Sequence, residues 1–158
     1  MENPETPAAV SRAVVDAFYA AYSGRDFARL ADFLADDVEW TISGPIDVLP
    51  FCGTQRGKIA VLKWLDRQVS GVFRAFSFKP APMLVDGDQV ARLNRVCAQR
   101  QLDGRVVSYR LAQFIRFRDN KVIEYVSIID SFDAVEQVLG HTLDVTGDIK
   151  VDDDLIAV

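Results

Sequence analysis

The sequence predicts an α+β domain: two N-terminal helices, one strand, a third helix, then a meander of four strands in one curved antiparallel sheet. Three observations predict it. Apolar residues recur with helical period from Ala8 to Tyr22. Apolar and polar residues alternate with period two after Phe76. Short turns, DGD at 86–88, DGR at 103–105 and RDNK at 118–121, separate the alternating runs.

Each element follows from its residues. In the first helix Val10, Val14, Ala17, Phe18 and Ala21 form the apolar face, with Arg12, Asp16 and Tyr19 elsewhere. Pro7 suits its first turn, and SGRD breaks it at Gly24. FARLADFL, capped by Asp26, is a second short helix. VEWTIS, 38–43, alternates as a strand. Gly44 to Lys58, with two prolines and three glycines, reads as a long loop, a kind that is often functional. KIAVLKWLDRQV returns to helix with Ile59, Leu62, Trp64 and Leu65 as its stripe. The four strands are then 76–85, 90–102, 106–117 and a last one opening VIEYVSIIDS. SFDAVEQVLG closes as a helix, with Asp130 or Asp133 at its N-terminus as the expected cap.

At 158 residues, 49% hydrophobic and 26% charged, the chain is expected to form one globular domain over 1–141, with an aspartate-rich mobile tail at 142–158 and an edge strand as that tail's alternative. A net charge of -5 argues against a nucleic-acid partner. No apolar run is long enough to span a bilayer, and the N-terminus has no basic n-region, so no membrane partner is expected. Cys52 and Cys97, without a CxxC pair, fit a reducing, cytoplasmic setting.

Three segments, YSGRDFARLADFLADDVEW, the loop ending in GTQRGK and QFIRFRDNKVIEYVSIID, occur in this element order over roughly residues 8–138. Together they resemble the nuclear transport factor 2-like superfamily, in its SnoaL-like and ketosteroid isomerase-like branch. The resemblance implies a cone: a curved sheet wrapped around a long helix, enclosing a pocket for a small hydrophobic or amphipathic ligand.

Period two gives the faces of the strands. On the third strand Val107, Tyr109, Leu111, Gln113, Ile115 and Phe117 share the face that must be buried. On the second, Ala91, Leu93, Arg95 and Cys97 are the expected interior and Arg92, Asn94 and Val96 the exterior. On the last, Ile123, Tyr125, Ser127 and Ile129 face one way, Glu124, Val126, Ile128 and Asp130 the other. Both faces of that strand are apolar, which predicts a homodimer through the outer sheet face with Phe114, Val126 and Ile128 as interface candidates. Asp130 is thus expected outside the pocket, with a bulge near Ile129 as the way it could turn inward.

The resemblance also implies catalytic positions, and the residues depart from them. In ketosteroid isomerases a tyrosine and a protonated aspartate hold the oxyanion beside a carboxylate base. Here those positions fall on Phe18, on Gln113 and near Ser43 to Pro45, so that chemistry is not expected in its usual form. The aspartate of the SnoaL-like cyclases, and that of the limonene epoxide hydrolases, falls on Ser127, whose hydroxyl is far too weak an acid. Arg95 fits the hydrolase arginine, while Cys97 replaces its second carboxylate.

What remains is a cavity expected to be lined by Arg95, Cys97, Tyr109, Gln113, Tyr125 and Ser127, with Tyr22 and Trp40 near its mouth. Asp47 is the best remaining general base, either catalytic or simply paired with Arg95, and an inward Asp130 is the other candidate. GTQRGKI lacks the glycine spacing and the hydroxyl residue of a phosphate loop, and His141 has no partner at metal-ligand spacing, so no cofactor or metal is expected. Three functions stay open: an acid/base enzyme acting on a lipophilic carbonyl or epoxide compound, a non-catalytic ligand-binding module, and an interaction domain with a residual cavity.

Overall fold

In the computed structural model, which describes residues 8–79 and 81–144, helix α1 (Arg12–Ser23) lies against a curved, open sheet of seven strands. The helix begins at Arg12 rather than Ala8, because the Ser11 hydroxyl accepts from the Val14 amide and caps it there. Its buried face is Val15, Phe18, Tyr19, Ala21 and Tyr22. The expected face was one residue off, and Tyr19 points into the core.

Helix α2 (Phe27–Ala31) is capped by Asp26, which accepts from the Arg29 amide. The chain then enters β1 (Leu34–Ser43). The expected long loop contains a short strand, β2 (Gly53–Arg56), antiparallel to β1. Gly44 starts the true loop where there is no room for a side chain: a Cβ there would sit 2.6 Å from Cys52 Sγ and 2.7 Å from Ile129 Cδ1. Helix α3 (Lys58–Trp64) continues through a π-helical turn (Leu65–Val69) into α4 (Ser70–Val72). Ile59, expected in the apolar stripe, is exposed, while Val61, Leu65 and Val69 are buried.

The strand expected over 76–85 is two strands, β3 (Phe73–Lys79) and β4 (Met83–Asp86), which pair with different halves of β5 (Gln89–Arg100). Strands β6 (Val106–Arg118) and β7 (Lys121–Ile129) follow. Asp119 and Asn120, both at positive φ, make the tight turn between them. The sheet order is β2-β1-β7-β6-β5-β3, with β4 also on β5, and the β1–β7 pair is parallel. The sheet is therefore mixed, not purely antiparallel. Helix α5 (Ser131–Leu139) closes the described chain and ends at Gly140 in the left-handed region.

The core sits between α1 and the concave face. Phe18 packs its ring against those of Tyr22, Phe33, Trp40, Phe117 and Tyr125. Complete burial of such a side chain contributes roughly 1.5–3 kcal/mol. Among the described residues no helix is long and apolar enough to cross a membrane. The tail expectation falls almost wholly outside the described residues.

Candidate functional site

Three strands and one helix bring the site together. Strand β6 sends Tyr109, Leu111 and Gln113 inward, and β7 sends Tyr125, Ser127 and Ile129 to the same side, with Ser127 directly opposite Gln113. Helix α1 supplies Tyr19 and Tyr22. The third strand, β5, is paired so that Arg92 faces Gln113, Asn94 faces Leu111 and Val96 faces Tyr109. Its interior face is therefore Arg92, Asn94 and Val96. This corrects the expected interior of Ala91, Leu93, Arg95 and Cys97, a face that is the more apolar of the two apart from its arginine. Leu93 is in fact 61% exposed, on an outer face that is itself apolar.

These residues enclose a small cavity of about 40 Å³, lined by Tyr22, Phe76, Phe78, Tyr109, Tyr125 and Ser127 together with aliphatic side chains from β1, the π-helical turn, β5 and β6. Trp40 is wholly buried and stacks on Tyr125, with centroids 3.7 Å apart and planes 11° apart. It backs the cavity wall; it is not at a mouth. The edge strand β3 contributes half-buried Phe76 and Phe78, whose rings meet that of Tyr22.

Behind the cavity lies a buried polar cluster. Gln113 Oε1 accepts from the Tyr19 hydroxyl at 2.9 Å and from Asn94 Nδ2, and Gln113 Nε2 donates to the Tyr125 hydroxyl. The Arg92 guanidinium lies over the Tyr19 ring, 4.7 Å from its centroid. Burial pushes the Tyr19 phenol up to about 12, opposed by the Arg92 charge and by hydrogen bonds from Asn94 and Arg92. Desolvation likewise raises Tyr22, Tyr109 and Tyr125 well above the ordinary phenol value. All are neutral hydroxyls at neutral pH. Trp40 Nε1, Arg92 Nε and Asn94 Oδ1 are buried without a partner.

The remaining predicted site residues lie elsewhere. Arg95 is on the outer face between Lys79 and Arg110, its cross-strand neighbours, and does not line the cavity. Cys97 shares that outer face, with Sγ 3.5 Å from the Ser108 hydroxyl. Asp47 is exposed on the loop after β1, in a turn closed by the Leu49 amide on the Pro45 carbonyl at 2.8 Å, and forms no ion pair with Arg95. Asp130 occupies the N-cap position of α5 without a side-chain cap bond; its carboxylate instead pairs with Arg110 at 3.2 Å. Among the described residues no carboxylate lines the cavity. Tyr19, Arg92 and Asn94 were missed; counting back from the Gln99–Val106 pair that flanks the turn places Arg92 opposite Gln113.

A curved, open sheet wrapped over an N-terminal helix, with an aromatic cavity between them, defines a class of small cone-shaped domains. The chain belongs to the SnoaL-like domain family, whose model matches residues 15–125. Among solved structures it is 31% identical to a provisionally assigned isomerase from Rhodopseudomonas palustris, covering 80% of this chain and 93% of that one with a TM-score of 0.69. TerC, co-crystallised with polyporic acid, shares the fold at 21% identity, 80% and 96% coverage and a TM-score of 0.72. So does an LEH-like epoxide hydrolase of M. tuberculosis at 20% identity, 81% and 88% coverage and a TM-score of 0.65. No curated protein matches the sequence significantly.

Proposed function

We propose that the protein binds a small lipophilic molecule with a hydrogen-bond acceptor in its cone, without acid/base chemistry by a side-chain carboxylate. The observation that carries this reading is the cavity wall: Tyr22, Tyr109, Tyr125 and Ser127 among apolar side chains, with no carboxylate among the described residues that line it. General acid/base catalysis at neutral pH needs a group that titrates nearby, and these phenols are held far above that range. They are suited to donate hydrogen bonds. A cavity of about 40 Å³ holds little more than water, whereas ligand pockets run to roughly 300–1,000 Å³. A ligand of ordinary size therefore requires the cavity to widen. TerC, crystallised with polyporic acid, supports small-molecule binding by this fold.

Acetophenone and ethylbenzene, nearly equal in shape, test the reading by calorimetry. The ketone is expected to bind about tenfold more tightly, the worth of one hydrogen bond of about 1.4 kcal/mol. Equal affinities, or no binding of either, would count against it.

The 31% identity to a provisionally assigned isomerase favours a second reading, in which the loop carries Asp47 inward as a base. Exchange of the α-protons of acetophenone in D2O, followed by NMR, separates the two. Protein-catalysed exchange that Asp47→Asn abolishes establishes the enzyme; buffer-rate exchange with ketone bound supports the binding protein.

A further inference from the structure

Gln113 is 1% exposed and its side-chain amide stands between two tyrosine hydroxyls. Such an amide can stand either way round. As it stands, Tyr19 donates to Oε1 and Nε2 donates to Tyr125. Reversed, Nε2 would donate to Tyr19, and Tyr125 would donate to Oε1. The two states differ at the cavity. In the first, the Tyr125 oxygen is occupied by Gln113 and its proton is left for Tyr22 or for whatever fills the cavity. In the second, Gln113 takes that proton and Tyr125 offers the cavity only lone pairs.

The amides themselves do not decide the direction. Asn94 Nδ2 donates to Gln113 Oε1 and leaves Asn94 Oδ1 buried without a partner; turning both amides would merely orphan the nitrogen instead. The asymmetry lies at the far end. Arg92, which faces Gln113 across the β5–β6 pair, holds its guanidinium over the Tyr19 ring. A cation against a phenol face draws density from the ring, so the O–H becomes a better donor and the oxygen a poorer acceptor. Tyr19 then donates to Gln113.

We infer that Arg92 sets the direction of the Tyr19–Gln113–Tyr125 chain, so that the cone presents a phenolic proton and selects ligands ending in a ketone, quinone or phenolate oxygen over apolar isosteres that cannot accept it. The ligand class rests on the binding reading above; the direction of the chain does not. Arg92 is a positioning residue, acting on the ligand through Tyr19 and Gln113.

Two readouts test it in the full-length protein. The first uses no ligand: 19F NMR of 3-fluorotyrosine placed at Tyr125. Its resonance should move in Arg92→Met and return in Arg92→Lys, which keeps the charge. The second is the affinity ratio of acetophenone to 2-phenylpropene, in which a methylene replaces the carbonyl oxygen: about tenfold in the unmodified protein if one hydrogen bond is at stake, falling towards unity in Arg92→Met and recovering in Arg92→Lys. If Arg92→Met does not fold, Gln113→Glu serves instead: a carboxylate only accepts, so Tyr125 must donate to it and the ketone preference should vanish with Arg92 in place. An unmoved Tyr125 resonance, or a ketone preference that survives both Arg92→Met and Gln113→Glu, overturns the inference. A resonance that moves while neither compound binds any variant supports the direction of the chain and overturns the ligand class and the binding reading.

Discussion

All four tyrosines of the chain, Tyr19, Tyr22, Tyr109 and Tyr125, are buried inside the cone. Each has its phenol pushed above its ordinary value of 10.0 by desolvation. The sign of the consequence is fixed. A group that holds its proton more tightly when folded contributes stability that is fully present below the unfolded pKa and is lost as pH rises through the folded one. Stability should thus be insensitive to these groups at neutral pH and fall above pH 10, by roughly 1.4 kcal/mol per pH unit for each tyrosine until its folded pKa is reached. Absorbance at 295 nm is expected to show no tyrosinate in the folded protein near pH 10.5, then a rise coincident with loss of the far-UV circular dichroism. A gradual rise from pH 9.5 in folded protein would show that the phenols are not desolvated. Burial of tyrosines is legible in a sequence as a tendency; the hydroxyl that each one meets is not. Tyr19 illustrates this, since its place on the helix wheel is one position from the expected stripe.

At the scale of elements, α5 and its entry carry the instructive case. Asp130 sits where a helix cap belongs, as the residue pattern indicates, yet the cap bond is absent and the carboxylate reaches across to Arg110. The helix is held instead by packing of Ala134 and Val135 and by Gln137, which accepts from the Ser108 amide and donates to the Ser108 carbonyl, both at 2.7 Å. An ion pair with both partners well exposed contributes at most about 1 kcal/mol. Asp130→Asn should therefore shift stability in urea by less than about 0.5 kcal/mol and leave acetophenone affinity within twofold. Loss of binding in this variant would place Asp130 in the site after all. The face error on β5 belongs to this scale too. Alternation identifies two faces but not which is inner, and when the outer face is also apolar the composition of a single strand misleads. Pairing to β6, whose inner face is unambiguous, resolves it.

At the scale of the whole molecule, the outer face of the sheet is unfinished. Phe114 and Ile128 are 50% and 51% exposed, and with Leu93 and half-buried Val126 they form one apolar area across β5, β6 and β7. We propose that a second copy of the chain covers it, as the double-sided apolar pattern of β7 indicates. Phe114→Glu combined with Ile128→Lys should convert a dimer into a monomer in sedimentation equilibrium while circular dichroism stays native, since neither side chain belongs to the core. A monomer in the unmodified protein at tens of micromolar would refute the assignment.

The sequence by itself determined the order of most elements, the turns, the inner face of β6, that of β7 from Tyr125 on and the family, because these follow from local periodicity, turn chemistry and hydrophobic pattern; at the start of β7 a register shift buries Val122 in place of the expected Ile123. The parallel β1–β7 pair, the split of β3 from β4, the inward turn of Arg92 and Asn94 and the exclusion of Arg95, Cys97, Asp47 and Asp130 from the cavity were decided only by tertiary structure. The reason is physical: strand register and sheet order are contacts between residues far apart in the chain, and a one-residue change in register exchanges the side chains that meet the ligand for those that meet solvent.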